Sequence, residues 1–205
     1  MNTNISTVGT ILSQMTSSES LPTKTQPSSS LNSSTGVMPP ALMDLKKHYP
    51  TIQKFMVAHN PERQLEICHK PEKCFFGNSP SLSMLNECYG KGAAEGWLVP
   101  EIVDTCLFCG LTEQPGISQL EKLVRIIVTN FGYLTVDEMQ LFFFRFCSSS
   151  YLHFFNTFDP LIIIRSLRIY LRERDFVYHE RDERLKDYKI EMRRKNAVRP
   201  LTKSP

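Results

Sequence analysis

Hydrophobic and polar positions divide the chain into two regimes. From Met1 to about Pro40 the residues are Ser, Thr, Asn and Pro, with Glu19 and Lys24 as the only charged side chains and no sustained apolar periodicity. Such a stretch cannot bury enough apolar surface to offset chain entropy, so it predicts a disordered tail over residues 1–40, a passive linker rather than an electrostatic arm. After Pro40 apolar residues recur at three- and four-residue intervals, the spacing of helices with one buried face.

"ALMDLKKHYPTIQKFMVAHNP" predicts one or two short helices, divided near Pro50 and stopped by Asn60-Pro61. "EICHKPEKCFFGNSP", with Pro71, Gly77 and Pro80, reads as loop. Ser79-Pro80 then supplies a cap and a proline suited to a first turn, starting a helix that ends at Gly90. Val99, Ile102, Val103, Cys106 and Leu107 mark a helix between Ala93 and Cys109, with Pro100 as its kink or its true start. Ser118-Gln119-Leu120-Glu121 has the form of a capping box. Leu120, Leu123, Val124, Ile127, Val128 and Phe131 line one face behind it, and Gly132 is placed for a left-handed C-cap. Thr135-Val136-Asp137-Glu138 repeats the box, and Asp159-Pro160 opens a last helix with no further proline or glycine until Pro200. No segment alternates as a strand does, so the expected fold is all-α.

Seven of the 13 phenylalanines fall between Gly132 and Pro160. At about 100° per residue, Val136, Met139, Phe142, Phe143 and Phe146 share one arc opposite Asp137, Glu138 and Arg145, which predicts a core face. Leu141 and Phe144 fall outside that arc and are candidates for a protein-contact patch, meeting a second helix or a partner subunit. Phe154, Phe155 and Phe158 precede the last helix and read as a plug at the domain end. A base-stacking platform would interleave its aromatics with Lys or Arg, and here Ser148, Ser149 and Ser150 stand instead.

In the last helix Leu161, Ile164, Leu167 and Leu171 mark an apolar side. Arg165, Arg168 and Arg172 recur opposite, a stripe able to track phosphates or to contact a partner, and otherwise a solvated face. Beyond Arg172, "RERDFVYHERDERLKDYKIEMRRK" mixes acids and bases, which supports a lone exposed helix through pairs three and four residues apart. Leu171, Tyr178, Leu185 and Met192 recur every seven residues with mostly polar partner positions, a weak coiled-coil pattern.

Composition narrows the function classes without choosing one. The 205 residues are 41% hydrophobic, enough for a core without a disulfide or metal staple. A formal charge of +3 does not by itself argue for nucleic acid. The apolar runs are interrupted by Arg145, Asp159 and Arg165, so no membrane helix is expected. The first residues lack the charged and apolar regions of a signal peptide. The six cysteines then read as reduced thiols of a cytoplasmic protein.

Cys68, His69, Cys74, Cys106 and Cys109 offer zinc-ligand chemistry at poor spacing, because Cys106 and Cys109 belong to an apolar helical run. Burial as small hydrophobes is the better reading. "YGKGAAEG" resembles a phosphate loop only faintly, since it follows a helix rather than a strand; a C-cap and loop is preferred. No nucleophile elbow, metalloprotease helix, kinase set or dinucleotide fingerprint occurs. No catalytic residue, metal, cofactor or small-molecule substrate is therefore expected.

The blocks "CFFGNSPSLSMLNECYG", "WLVPEIVDTCLFCG", "GYLTVDEMQLFFFRF" and "FDPLIIIRSLRIYLRERD", in that order between about Cys74 and Arg174, resemble a family of Bacteroides-type bacterial proteins. Many of its members lie near mobile elements, and the family has no assigned activity. Similar members carry a Gly-, Lys- and Arg-rich loop after the Phe-rich helix, where this chain has "CSSSYLHFFN". If that loop touches nucleic acid in relatives, the contact is weakened or lost here. The helix-loop-helix block also looks loosely like small all-α helicase-loading proteins of phages, an analogy of fold alone.

The resulting expectation is a tail over 1–40, a helical domain over 41–175 and a charged helical extension over 176–205. It describes a non-enzymatic accessory protein working through helix-mediated contacts with a protein partner or a second copy, in replication or maintenance of a mobile element. A DNA-binding module using Arg165, Arg168 and Arg172 is the alternative. A zinc-stabilised interaction domain is the second alternative.

Overall fold

The computed structural model describes residues 38–113 and 115–197. Apart from its last three residues, the expected tail over 1–40 lies outside the described residues, as does the chain beyond Ala197.

Nine α-helices and one 3-10 turn are described, and the fold is all-α. Pro40–His48 (α1) and Ile52–Ala58 (α2) flank Pro50, and Thr51 caps α2 by accepting the Lys54 N–H. The 3-10 turn Pro61–Arg63 runs into Gln64–Ile67 (α3) and is followed by Pro71–Phe76 (α4), Leu82–Tyr89 (α5) and Ala93–Phe108 (α6). Ile117–Phe131 (α7), Val136–Cys147 (α8) and Pro160–Ala197 (α9) complete the order. Among the described residues the only strand-like pairings are isolated bridges, Ser81 with Thr135 and Phe155 with Thr157.

Helix α6 is the hub. It packs on the 3-10 turn, α5, α7 and α8, and is apolar nearly all round, with Asp104, Leu107 and Phe108 of its last turns left exposed. Its Trp97 is buried, with the indole N–H donating to the His59 carbonyl at 2.8 Å. The predicted core face of α8 is observed: Val136, Met139, Phe142, Phe143 and Phe146 are all buried. Helix α9 lies across α7 and α8 through Ile163, Leu167 and Tyr170, and Tyr170 stacks on Phe75 and meets Phe142 edge-on.

Several expectations are corrected. The segment read as loop contains α4, because Pro71 occupies the first turn and Cys74 and Phe75 are buried against α8; burial outweighs the breaker signals. Ser81, two residues beyond the expected cap, starts α5 by accepting the Met84 N–H. Ser79 and Pro80 instead accept the Asp137 and Val136 N–H groups, tying the entry of α5 to that of α8. Helix α6 runs through Pro100 rather than starting there. Helix α7 begins after Gly116, whose N–H donates to the Gln119 side chain, so Ser118 is inside the helix. The second box is as expected, Thr135 and Glu138 each accepting from the other's backbone N–H.

Gly132 is not a left-handed cap: its φ is −57°. A Cβ there would lie 2.5 Å from the Ser83 hydroxyl and 2.6 Å from the Val128 carbonyl, so close approach is what demands glycine. On α9 the buried stripe is Ile163, Leu167 and Tyr170 rather than the expected Leu161, Ile164, Leu167 and Leu171. Leu161 is exposed, and Ile164 and Leu171 are half-buried.

Candidate functional site

Asp159 starts α9 by accepting the Leu161 N–H at 2.9 Å, and Pro160 occupies the first turn. With Ile163, Leu167 and Tyr170 turned into the core, helical periodicity places Arg165, Arg168 and Arg172 on the opposite side, and all three are exposed. None of the three makes an ion pair among the described residues. The seven-residue separation of the outer two is about 10 Å along the axis. The structure therefore brings the predicted arginines onto one open face.

Arg172 also borders a shallow groove with Arg145, Ser150, Glu173, Phe176 and Val177. Within it Glu173 accepts from Arg145 at 2.9 Å and from the Tyr151 hydroxyl at 2.8 Å. Burial, and then the bond to Glu173, push the Tyr151 phenol well above its ordinary pKa, so it stays a neutral donor. The serine-rich loop thus reaches the edge of the arginine face, and its Ser149 takes a left-handed φ of 59°.

The expected patch of Leu141 and Phe144 is not brought together as a surface. Leu141 is 1% exposed, so helices of its own chain cover it, while Phe144 is half-buried. Of the three loop phenylalanines, Phe154 fills the end of the core between Phe146 and Phe158. Phe155, 75% exposed, lies over His153 instead.

The zinc set is dispersed. Cys74 sits in α4 with its thiol donating to the Ile67 and Lys70 carbonyls, Cys68 donates to the Leu65 carbonyl, and Cys106 is buried in α6. Among the described residues no three His, Cys, Asp or Glu side chains converge as metal ligands. Burial pushes the Cys74 thiol up to about 11 and Cys106 up to about 12, so both are neutral thiols. Cys74 and Cys106 are small apolar core residues, as the preferred reading expected, whereas Cys68 and Cys109 are only half-buried.

A constellation that sequence reasoning missed lies between the 3-10 turn, α3, α6 and α8. Glu101 is fully buried, with its two carboxyl oxygens bonded by the Gln64 side-chain amide at 2.6 Å and the Gln140 side-chain amide at 3.0 Å. Gln140 also donates to the Asn60 carbonyl at 3.0 Å and accepts from Arg63 at 2.8 Å; Arg63 in turn pairs with Asp137 at 2.6 Å. Burial raises the Glu101 carboxyl to about 7, against the lowering effect of the two amides. Gln140 is held in one orientation by Arg63 and Asn60. Gln64, whose amide has no other partner among the described residues, would, with that amide turned over, accept a hydrogen bond from the O–H of a protonated Glu101. A separation of 2.6 Å suits that O–H···O bond. Nearby, burial and then Arg63 lower the His59 pKa, so that ring stays neutral against Phe55. The available signal was a glutamate and a glutamine on otherwise apolar helical faces.

No family model matches the chain, and comparisons with curated proteins and with solved structures likewise return no match. Among the described residues no helix is long and apolar enough to cross a membrane.

Proposed function

We propose that this is a non-enzymatic accessory protein that works through helix-mediated contacts, with the outer part of α9 as its contact element. One observation carries the reading: from His179 to Asn196 every residue of α9 is exposed, a helix continuing past the body that it was anchored to. A helix of that length persists only if its own side-chain pairs support it or something covers it. The setting in replication or maintenance of a mobile genetic element has its support in the resemblance of residues 74–174 alone.

A photo-crosslinking residue placed in turn at Leu185, Tyr188 and Met192, with another at Lys122 on α7 as control, tests this in the cells that make the protein. The expected result is a discrete adduct through position 188 and none through position 122. Absence of any adduct through positions 185, 188 and 192 overturns the reading.

The exposed arginines, without an ion pair among the described residues, favour a second reading, direct DNA binding by the Arg165, Arg168 and Arg172 face. Fluorescence anisotropy of labelled single- and double-stranded DNA against the full chain, over a salt series, is the test. Three phosphate contacts on duplex DNA give a slope of log K against log salt of about −3. Reversal of the three arginines to Glu should abolish binding. No binding at low salt makes the stripe a solvated face.

A further inference from the structure

We infer that the outer part of α9 pairs antiparallel with the same segment of a second copy of this chain. The inference deepens the reading of α9 as a contact element and rests on it. Arg181 is the last residue of α9 held to the body, its guanidinium 4.0 Å from the centre of the Phe76 ring. Beyond it, the exposed Leu185, Tyr188 and Met192 follow Arg181 at intervals of four, three and four. That spacing keeps them on one side of the helix and forms the seam of a two-helix pairing, about 17 Å long from Arg181 to Met192.

Charge decides what lies against the seam. Asp182 and Lys189 flank it on one side, Arg184 and Glu191 on the other. In a parallel, in-register pair the flanking contacts run between the two sides, five residues apart, and Arg184 of one copy meets Lys189 of the other, twice. That arrangement is repulsive. In an antiparallel pair each side meets itself. With Leu185 of each copy opposite Tyr188 of the other, Asp182 meets Lys189 and Arg184 meets Glu191, each twice. All four flanking contacts are then attractive, and Met192 covers the stem of Arg181. The surface is self-complementary about a two-fold axis passing between residues 186 and 187, which is what a symmetric dimer requires.

The cost of forming these pairs is small. Asp182 and Lys189 make no ion pair among the described residues. Arg184 and Glu191 are paired along their own helix with Glu180 at 2.5 Å and Lys195 at 2.6 Å, and exposed pairs of that kind are readily exchanged. The helix is already formed and anchored before the second copy arrives, so the nucleation penalty of a short isolated helix does not apply. The short seam predicts a weak dimer, with a Kd on the order of tens to hundreds of micromolar.

Sedimentation equilibrium of the full chain, from about 10 μM to about 1 mM, tests the inference. The expected result is a monomer–dimer equilibrium that Leu185→Asp and Tyr188→Asp each weaken by at least about tenfold, a change of roughly 1.4 kcal/mol. Helical content should stay within the loss expected of an exposed segment. Lys189→Glu is the discriminating variant, because it sets a carboxylate against Asp182 in the antiparallel pair but against Arg184 in the parallel one. Antiparallel pairing therefore predicts weaker dimerisation, and a mixture of Asp182→Lys chains with Lys189→Asp chains should dimerise better than either alone. A monomer throughout, a dimer indifferent to Leu185 and Tyr188, or a dimer strengthened by Lys189→Glu overturns the inference. A monomer that still gives an adduct with a different protein through position 188 leaves the accessory reading standing and removes only the self-pairing.

Discussion

The two halves of α9 form one continuous helix under opposite rules. From Pro160 to Tyr178 the helix is held from outside. Ile163, Leu167 and Tyr170 are buried, Arg174 pairs with Glu138 at 2.5 Å, and the Tyr178 hydroxyl donates to the Phe75 carbonyl at 2.5 Å. From His179 to Asn196 every residue is exposed, Arg181 over the Phe76 ring is the last contact with the body, and pairs such as Arg184 with Glu180 run along the helix itself. In the inner half Arg174 is tied to Glu138 in a partly dry place. In the outer half charges are many, wet and exchangeable. Loss of the Arg174–Glu138 pair is therefore expensive, and loss of an outer pair is cheap.

Breaking the inner half should give the largest effect. Leu167→Ala, which opens a cavity under α9, is expected to lower stability by about 2–5 kcal/mol in urea unfolding. Glu138→Ala comes next, at about 2–4 kcal/mol, because it removes both the side chain that accepts the Thr135 N–H in the capping box and the partner of Arg174. A loss under about 1 kcal/mol there would mean that the inner half is no more dependent on its ion pair than the outer half is.

The buried cluster sharpens the contrast through pH. The folded-state pKa of Glu101, about 7, lies above the ordinary carboxyl value of 4.5, so the folded chain holds a proton that the unfolded chain has lost between those values. Its contribution is full below about pH 4.5 and declines as pH rises through about 7, at up to about 1.4 kcal/mol per pH unit. Asp104 and Arg63 face it with opposite signs. Unfolding midpoints measured from pH 4.5 to 8 should show that decline, and Glu101→Gln should flatten it. An unchanged profile in the variant would remove Glu101 as the cause.

Smaller effects mark the other side. Ser149→Gly relieves a left-handed backbone and should stabilise by about 1 kcal/mol. Arg184→Ala, in the outer half, should move the global midpoint by less than about 0.5 kcal/mol and show its effect only in dimerisation.

What was legible in the sequence follows the same divide. Local rules alone determined that the chain is helical, that Thr135 and Glu138 start α8, that Asp159 starts α9, and that Val136, Met139, Phe142, Phe143 and Phe146 face inward. Each of these depends on residues within a turn or two of one another. The separation of Arg165, Arg168 and Arg172 from the buried stripe was also visible, because helical periodicity places them whatever the partner helix is. Tertiary structure decided the rest. Helix α4 formed where Pro71 and Gly77 read as loop, because burying Cys74 and Phe75 outweighs weak local propensity. Gly132 was read as a cap when its role is to let Ser83 approach. The buried stripe of α9 and the covering of Leu141 were set by which neighbouring helices lie alongside them. Glu101, Gln64 and Gln140 come from segments as many as 76 residues apart in number, and a buried carboxyl is held only when their amides meet it. A local pattern states which faces of a helix are apolar; only packing states which of them are dry.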